Sequence, residues 1–164
     1  PGMAFTNIIA RRTDRTVFNL GFSGNALLDL EIAELMASVK DPGLFILDYV
    51  PNSKAERIRE AGEDFFRIIR KAHPDVPVIF VEDSYVPRTE FNTKNHKDIK
   101  SRNQEQKALF KRLKKAGEKN IYYVPAEGMI GDDGEATVDS RHYTDLGNIR
   151  YVEHIMPVIR KALR

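Results

Sequence analysis

Asp139 and His142, in the stretch Val138-Asp139-Ser140-Arg141-His142-Tyr143-Thr144-Asp145-Leu146-Gly147, are the residue types and spacing in this sequence best suited to chemistry. If the chain turns between them, the carboxylate accepts from the near ring nitrogen. That fixes the tautomer and leaves the far nitrogen free as a base. An acid and a base would then stand ready for a nucleophile. The plainer alternative is a surface turn in which Asp139 caps the backbone and His142 faces solvent. Two other stretches could act beside this pair. Gly21-Phe22-Ser23-Gly24-Asn25 has three readings: a tight turn, a dinucleotide cradle, or a nucleophile turn carrying Ser23. The cradle lacks the glycine spacing of G-x-G-x-x-G, and a G-x-S-x-G elbow would need Gly where the chain has Asn25. A glycine there also exposes a backbone N–H that can approach a substrate oxygen closely. Asn52, after Pro51, could offer a side-chain N–H to the same oxygen, or simply be a turn residue.

These residues need elements to hold them. Thr16–Leu20, Leu44–Asp48, Val76–Val81 and Asn120–Val124 are short apolar runs of the kind that form strands buried on both faces. Between them the spacing predicts helices over Pro1–Arg12, Leu28–Val39, Ala55–Ala72 and Ser101–Ala116. A closing helix is capped by Thr144 and kinked or split at Pro157. Tyr85–Lys100 is polar without clear periodicity and is expected to be a long binding loop or lid. Ala126–Ala136 reads as a glycine-rich loop. The Lys111-Arg112 and Lys114-Lys115 pairs read as a solvated face near a helix end. Strands alternating with helices predict an α/β domain, a doubly wound three-layer α/β/α parallel sheet. In such sheets ligands bind beyond the carboxyl ends of the strands, where the loops holding Gly24, Asn52, Asp83-Ser84 and Asp139–His142 all fall.

At 164 residues the chain has the length of one domain with a single core. With 26 Lys and Arg against 24 Asp and Glu, the formal charge is only +2, which gives little support for nucleic-acid binding. Cysteine is absent, so disulfides, thiol catalysis and cysteine-ligated zinc are excluded. No apolar run reaches the ~18 residues of a membrane span. The sequence starts at Pro1-Gly2-Met3, which leads us to expect a leader or a larger segment upstream.

Together these stretches resemble the SGNH hydrolases, also called GDSL-type esterases and lipases. Asn19-Leu20-Gly21-Phe22-Ser23-Gly24-Asn25 is similar to that family's glycine block, Asp48-Tyr49-Val50-Pro51-Asn52 to its asparagine block, and Asp139-Ser140-Arg141-His142 with Thr144-Asp145-Leu146-Gly147 to its triad block. The resemblance, which follows the element order from Pro1 to Arg164, implies a flavodoxin-like sheet. It also implies His142 as general base, Asp139 as its orienting acid, and the Gly24 N–H with the Asn52 amide as oxyanion donors. Neither metal nor cofactor is implied. Two features depart from the family pattern. The asparagine block lacks the Gly of G-x-N-D, with Asp48 in its neighbourhood, and the block carrying the nucleophilic Ser does not occur, so that Ser and the first strand are expected upstream of Pro1.

The expected activity is hydrolysis of small acyl esters through an acyl-enzyme, with O-acetyl groups on carbohydrates as the substrate class the resemblance implies. Export to the periplasm or medium is the location it leans towards. A second expectation is a non-catalytic flavodoxin-like module that binds a ligand or partner. A third is a nucleotide-binding domain using Gly21–Asn25. Oligomeric state is left open by the sequence.

Overall fold

The structure is a computed structural model that describes residues 2–87 and 93–164. Three parallel strands, β1 (Phe45–Leu47), β2 (Val78–Val81) and β3 (Ile121–Val124), form a sheet in the order β1-β2-β3. Ile46 is opposite Ile79 in register, and Ile79 opposite Tyr122. All four residues of β2 are buried. Val78 and Phe80 point into a cluster shared with α2 (Leu30–Ala37), α3 (Ala55–Ala72) and α4 (Thr93–Lys115). Ile79 and Val81 point into a second cluster built on α1 (Phe5–Thr13) and α5 (Asp145–Ala162). The unbroken apolar run thus serves two faces at once, giving the expected three-layer α/β/α arrangement.

Helix α3 shows how pattern becomes packing. Ile58, Ala61, Phe65, Phe66 and Ile69 are buried at spacings of three and four, while Arg59, Glu60 and Glu63 face outwards. Its bounds coincide with those expected from sequence. Helix α5 starts where Thr144 Oγ1 accepts from Gly147 N at 3.1 Å, the expected cap, and continues through Pro157 as one element instead of splitting there. The Lys111-Arg112 and Lys114-Lys115 pairs are exposed near the end of α4, as expected of a solvated face.

Several expectations are corrected. Thr16–Leu20 is not a strand: none of its backbone groups bonds to another backbone group among the described residues. An extended run becomes a strand only with a neighbour, and the available edge of β1 stands across an open cleft of about 500 Å³. Helix α1 begins at Phe5, not at the start of the chain, because Asn148 Oδ1 accepts the Phe5 N–H at 3.0 Å and performs the capping there; Pro1 lies outside the described residues. Much of the stretch expected to be a loop over Tyr85–Lys100 is the first two turns of α4, beginning at Thr93; residues 88–92 lie outside the described residues. Periodicity is hidden there because the first two turns of α4 bury only Ile99, too few apolar positions to show a repeat. Among the described residues no helix is long and apolar enough to cross a membrane.

Candidate active site

The chain from Thr137 to Tyr143 doubles back on itself. These two residues bridge in antiparallel fashion, Val138 N donates to His142 O at 2.9 Å, and Ser140 at the tip takes φ 66°. Inside this small loop Asp139 Oδ1 accepts from the backbone N–H of His142 at 2.8 Å and of Arg141 at 3.0 Å. Its Oδ2 lies 2.7 Å from His142 Nδ1. These donors hold the Asp139 carboxyl down to about 2, the backbone and ring N–H groups of His142 being the largest causes. An ionised carboxylate can only accept, so Nδ1 carries the proton and donates. Nε2 is then the basic nitrogen, and it has no partner among the described residues. The turn-capping role and the acid–base pairing, alternatives in the sequence, are therefore both present in one loop.

This loop is anchored from behind. Ala136 O accepts from Thr144 N at 3.0 Å, and a Cβ at Gly147 would stand 2.0 Å from the same oxygen. Only glycine lets the first turn of α5 approach so closely. Tyr143 O–H donates to Ser84 Oγ at 2.8 Å, tying the loop to the exit of β2, and its ring is 5.7 Å from that of Tyr151.

Of the other predicted residues, Asn52 follows β1, and Gly24 and Ser23 follow the unpaired run Thr16–Leu20. Asn52 is exposed, its N–H closing a turn onto Tyr49 O at 3.1 Å, and its side-chain amide has no partner among the described residues. Gly24 closes a single 3₁₀ turn, Phe22–Gly24, in which Phe22, Ser23 and Gly24 take φ of 46°, 51° and 92°. Space is open around Gly24, so it is the backbone conformation there that favours glycine. Ser23 is exposed and makes no hydrogen bond with His142. The asparagine loop and the Asp139–His142 loop do meet: Arg141 Nη1 approaches Pro51 O at 3.5 Å, next to Asn52.

Beneath these loops runs a polar layer that the sequence analysis did not single out as a unit. Asp48, in the wall of the cleft, accepts from Tyr151 O–H at 2.9 Å. Burial pushes its carboxyl up to about 7, against the donation from Tyr151 and with the Asp83 charge adding to the rise. Asp83 pairs with Arg102 at 2.6 Å, and Asn103 holds both backbone groups of Asp83 at 2.8 Å. Gln106 accepts from Tyr49 O–H at 2.7 Å. The available signal was the three- and four-residue spacing of Asn103 and Gln106 with Ile99, Leu109 and Leu113, which places amides on a buried stripe. Among the described residues no three His, Asp or Glu gather as a metal-binding group.

The comparisons with known proteins bear on the family and the fold. A protein of Bacteroides ovatus ATCC 8483 whose crystal structure is described as that of a GDSL-like lipase is 34% identical to the chain, with a TM-score of 0.94 over 99% of the chain and 48% of its own length. The salicylyl-acyltransferase SsfX3 from a tetracycline biosynthetic pathway shares the fold at 17% identity, with a TM-score of 0.81 over all of the chain and 51% of its own length. The chain thus spans about half the length of these solved structures. None of the curated proteins compared with it matches. The model of the GDSL-like Lipase/Acylhydrolase family matches residues 1–160, and with the 34% identical relative it establishes that this chain belongs to that family, whose members share the SGNH fold.

Proposed function

We propose that the protein is a serine esterase acting on small acyl esters, for which this chain supplies the acid, the base and two oxyanion donors. The observation that carries the proposal is the 2.7 Å contact of Asp139 Oδ2 with His142 Nδ1, which leaves Nε2 unpaired and facing outwards from an exposed loop. In the reaction, Nε2 takes the proton of a Ser hydroxyl as its oxygen bonds to the ester carbonyl carbon. The carbonyl electron pair moves onto oxygen, where the Gly24 N–H and the Asn52 amide hold it. Collapse expels the alcohol, which receives the proton from the His142 imidazolium. Water then repeats the sequence, losing its proton to Nε2, and the acid leaves as Ser regains its proton. Asp139 orients the ring and balances its charge throughout. O-acetyl groups on carbohydrates are the substrate class proposed, with no metal or cofactor required.

The nucleophile is proposed to be a Ser outside residues 1–164, on a strand seated between Thr16–Leu20 and β1. Two features support this placement. Among the described residues the backbone of 16–20 bonds to no other backbone group and β1 pairs with β2 alone, so two backbone edges border the same cleft. Open edges of this kind are templates for another strand. A strand ending there would deliver its exit turn to the carboxyl edge of the sheet, beside the loops of Gly24, Asn52 and His142. Ser23 stands as the alternative nucleophile, and a binding module without catalysis as the alternative function. Hydrolysis of p-nitrophenyl acetate by the protein expressed from its complete reading frame tests the activity; loss of turnover on His142→Ala is expected, and turnover at the wild-type rate in that variant would overturn the proposal.

A further inference from the structure

Arg102 sits on α4, takes no part in the proposed reaction, and joins two strand-exit loops, one of which is also met by the Asp139–His142 loop. Its Nη2 donates to Asp83 Oδ2 at 2.6 Å, at the exit of β2. Its Nη1 donates to Pro51 O at 3.2 Å, the carbonyl immediately before Asn52. The same Pro51 oxygen is approached from the other side by Arg141 Nη1 at 3.5 Å, from the loop that carries Asp139 and His142. The neighbouring residue on α4, Asn103, clamps the N–H and C=O of Asp83, so the carboxylate that Arg102 grips is itself fixed.

The side chains of Arg102 and Asp83 are only 13% and 12% exposed, and Arg102 Nε is buried with no partner among the described residues. A buried ion pair with an unsatisfied N–H is a weak source of stability, because desolvation offsets most of the Coulomb attraction. Its geometric effect is larger. A planar guanidinium with two bonds in fixed directions sets the position of Pro51 relative to Asp83, and a lysine ammonium cannot reproduce both directions. Asn52 is exposed; on its C-terminal side Ser53 bonds Tyr49 O and Ala26 O at 3.0 and 3.3 Å, and on its N-terminal side Pro51 O is where the side chains of Arg102 and Arg141 hold the loop.

We infer that Arg102 is a positioning residue: by holding Pro51 O against Asp83 it fixes the Asn52 amide where an oxyanion develops. The inference rests on the esterase reading of the site. It acts on the transition state more than on substrate binding, since an oxyanion donor displaced by a fraction of an ångström loses its bond to the developing charge.

The test is a double-mutant cycle in the protein expressed from its complete reading frame, with p-nitrophenyl acetate as substrate and wild type, Arg102→Lys, Asn52→Ala and the double variant as its corners. Arg102→Lys is expected to lower kcat about tenfold with KM changed less than about twofold, and to lower it less than about twofold further once Asn52 is Ala. A kcat for Arg102→Lys within twofold of wild type, or an equal loss in both backgrounds, overturns the inference while leaving the esterase reading intact. If Arg102→Lys unfolds the protein, the charge-free pair Arg102→Met with Asp83→Asn takes its place in the cycle with the same two outcomes. His142→Ala is run alongside: undiminished activity there removes the esterase reading itself, and this inference with it.

Discussion

Asp139 commits one carboxylate oxygen to the backbone of its own turn and the other to the His142 ring, so a single residue builds the loop and orients the imidazole. Replacement by Asn keeps the turn-capping oxygen but offers the ring an amide, favouring the wrong tautomer. We expect Asp139→Asn to lower kcat by about 10³- to 10⁴-fold with little change in fold. His142→Ala should abolish turnover with Tm shifted by no more than about 2 °C, because the His142 side chain is 77% exposed and surface changes stay within about 0.5 kcal/mol. A large fall in Tm would mean that His142 is structural. The Asp139 carboxyl is held down to about 2, so loss of activity between about pH 4 and 7 must come from protonation of another group, and Asp139→Asn should not move that limb by removing a titration there. Asp48 behaves in the opposite sense. Its folded value of about 7 lies above the ordinary 3.8, so the folded state holds a proton that the unfolded state has released across that window. Stability is therefore lost as pH rises from about 4 to about 7, by on the order of 4 kcal/mol. Asp48→Asn should raise Tm at pH 8 and leave it unchanged below pH 4; parallel Tm–pH curves for the two proteins would contradict this assignment.

Among the elements, α5 decides where the Asp139–His142 loop sits. The closeness of Gly147 to Ala136 O leaves no room for a side chain against a backbone atom that cannot rotate away. Gly147→Ala is expected to cost about 3 kcal/mol in thermal or urea unfolding, at the upper end of overpacking effects. A loss below about 0.5 kcal/mol would show that the loop and α5 can separate freely. The elements read most directly from sequence were those whose residues encode their own burial: α3 with its apolar stripe, β2 with its unbroken run, and the Thr144 cap. Thr16–Leu20 was misjudged because a strand is a property of pairs, and an apolar run does not say whether a neighbour is present. The start of α4 was misjudged because residues 93–100 bury only Ile99, and a single apolar position sets no period. At the site, the spacing of Asp139 and His142 was legible because it is local. The Arg102–Asp83–Pro51 junction was not, since it joins residues 51, 83 and 102 through space and none of them carries a short-range motif.

In the molecule as a whole, the cleft between Thr16–Leu20 and β1 lies beside the sheet's free edge. Its walls include the apolar side chains of Ile9, Leu28, Leu47 and Phe65, and the backbone edges that border it can pair only with another extended segment. If a strand occupies it, residues 1–164 expressed alone should show lower Tm and far slower hydrolysis of p-nitrophenyl acetate than the protein from its complete reading frame. Equal Tm and equal rate for the two would mean that the cleft needs no occupant. The location of the nucleophile tests the central claim most directly. A fluorophosphonate probe bonds to a Ser activated by the His142 base, and peptide mapping of the labelled complete protein identifies that residue. The account predicts one labelled Ser, outside residues 1–164, with labelling abolished in His142→Ala; a label on Ser23, or one that persists without His142, would contradict it.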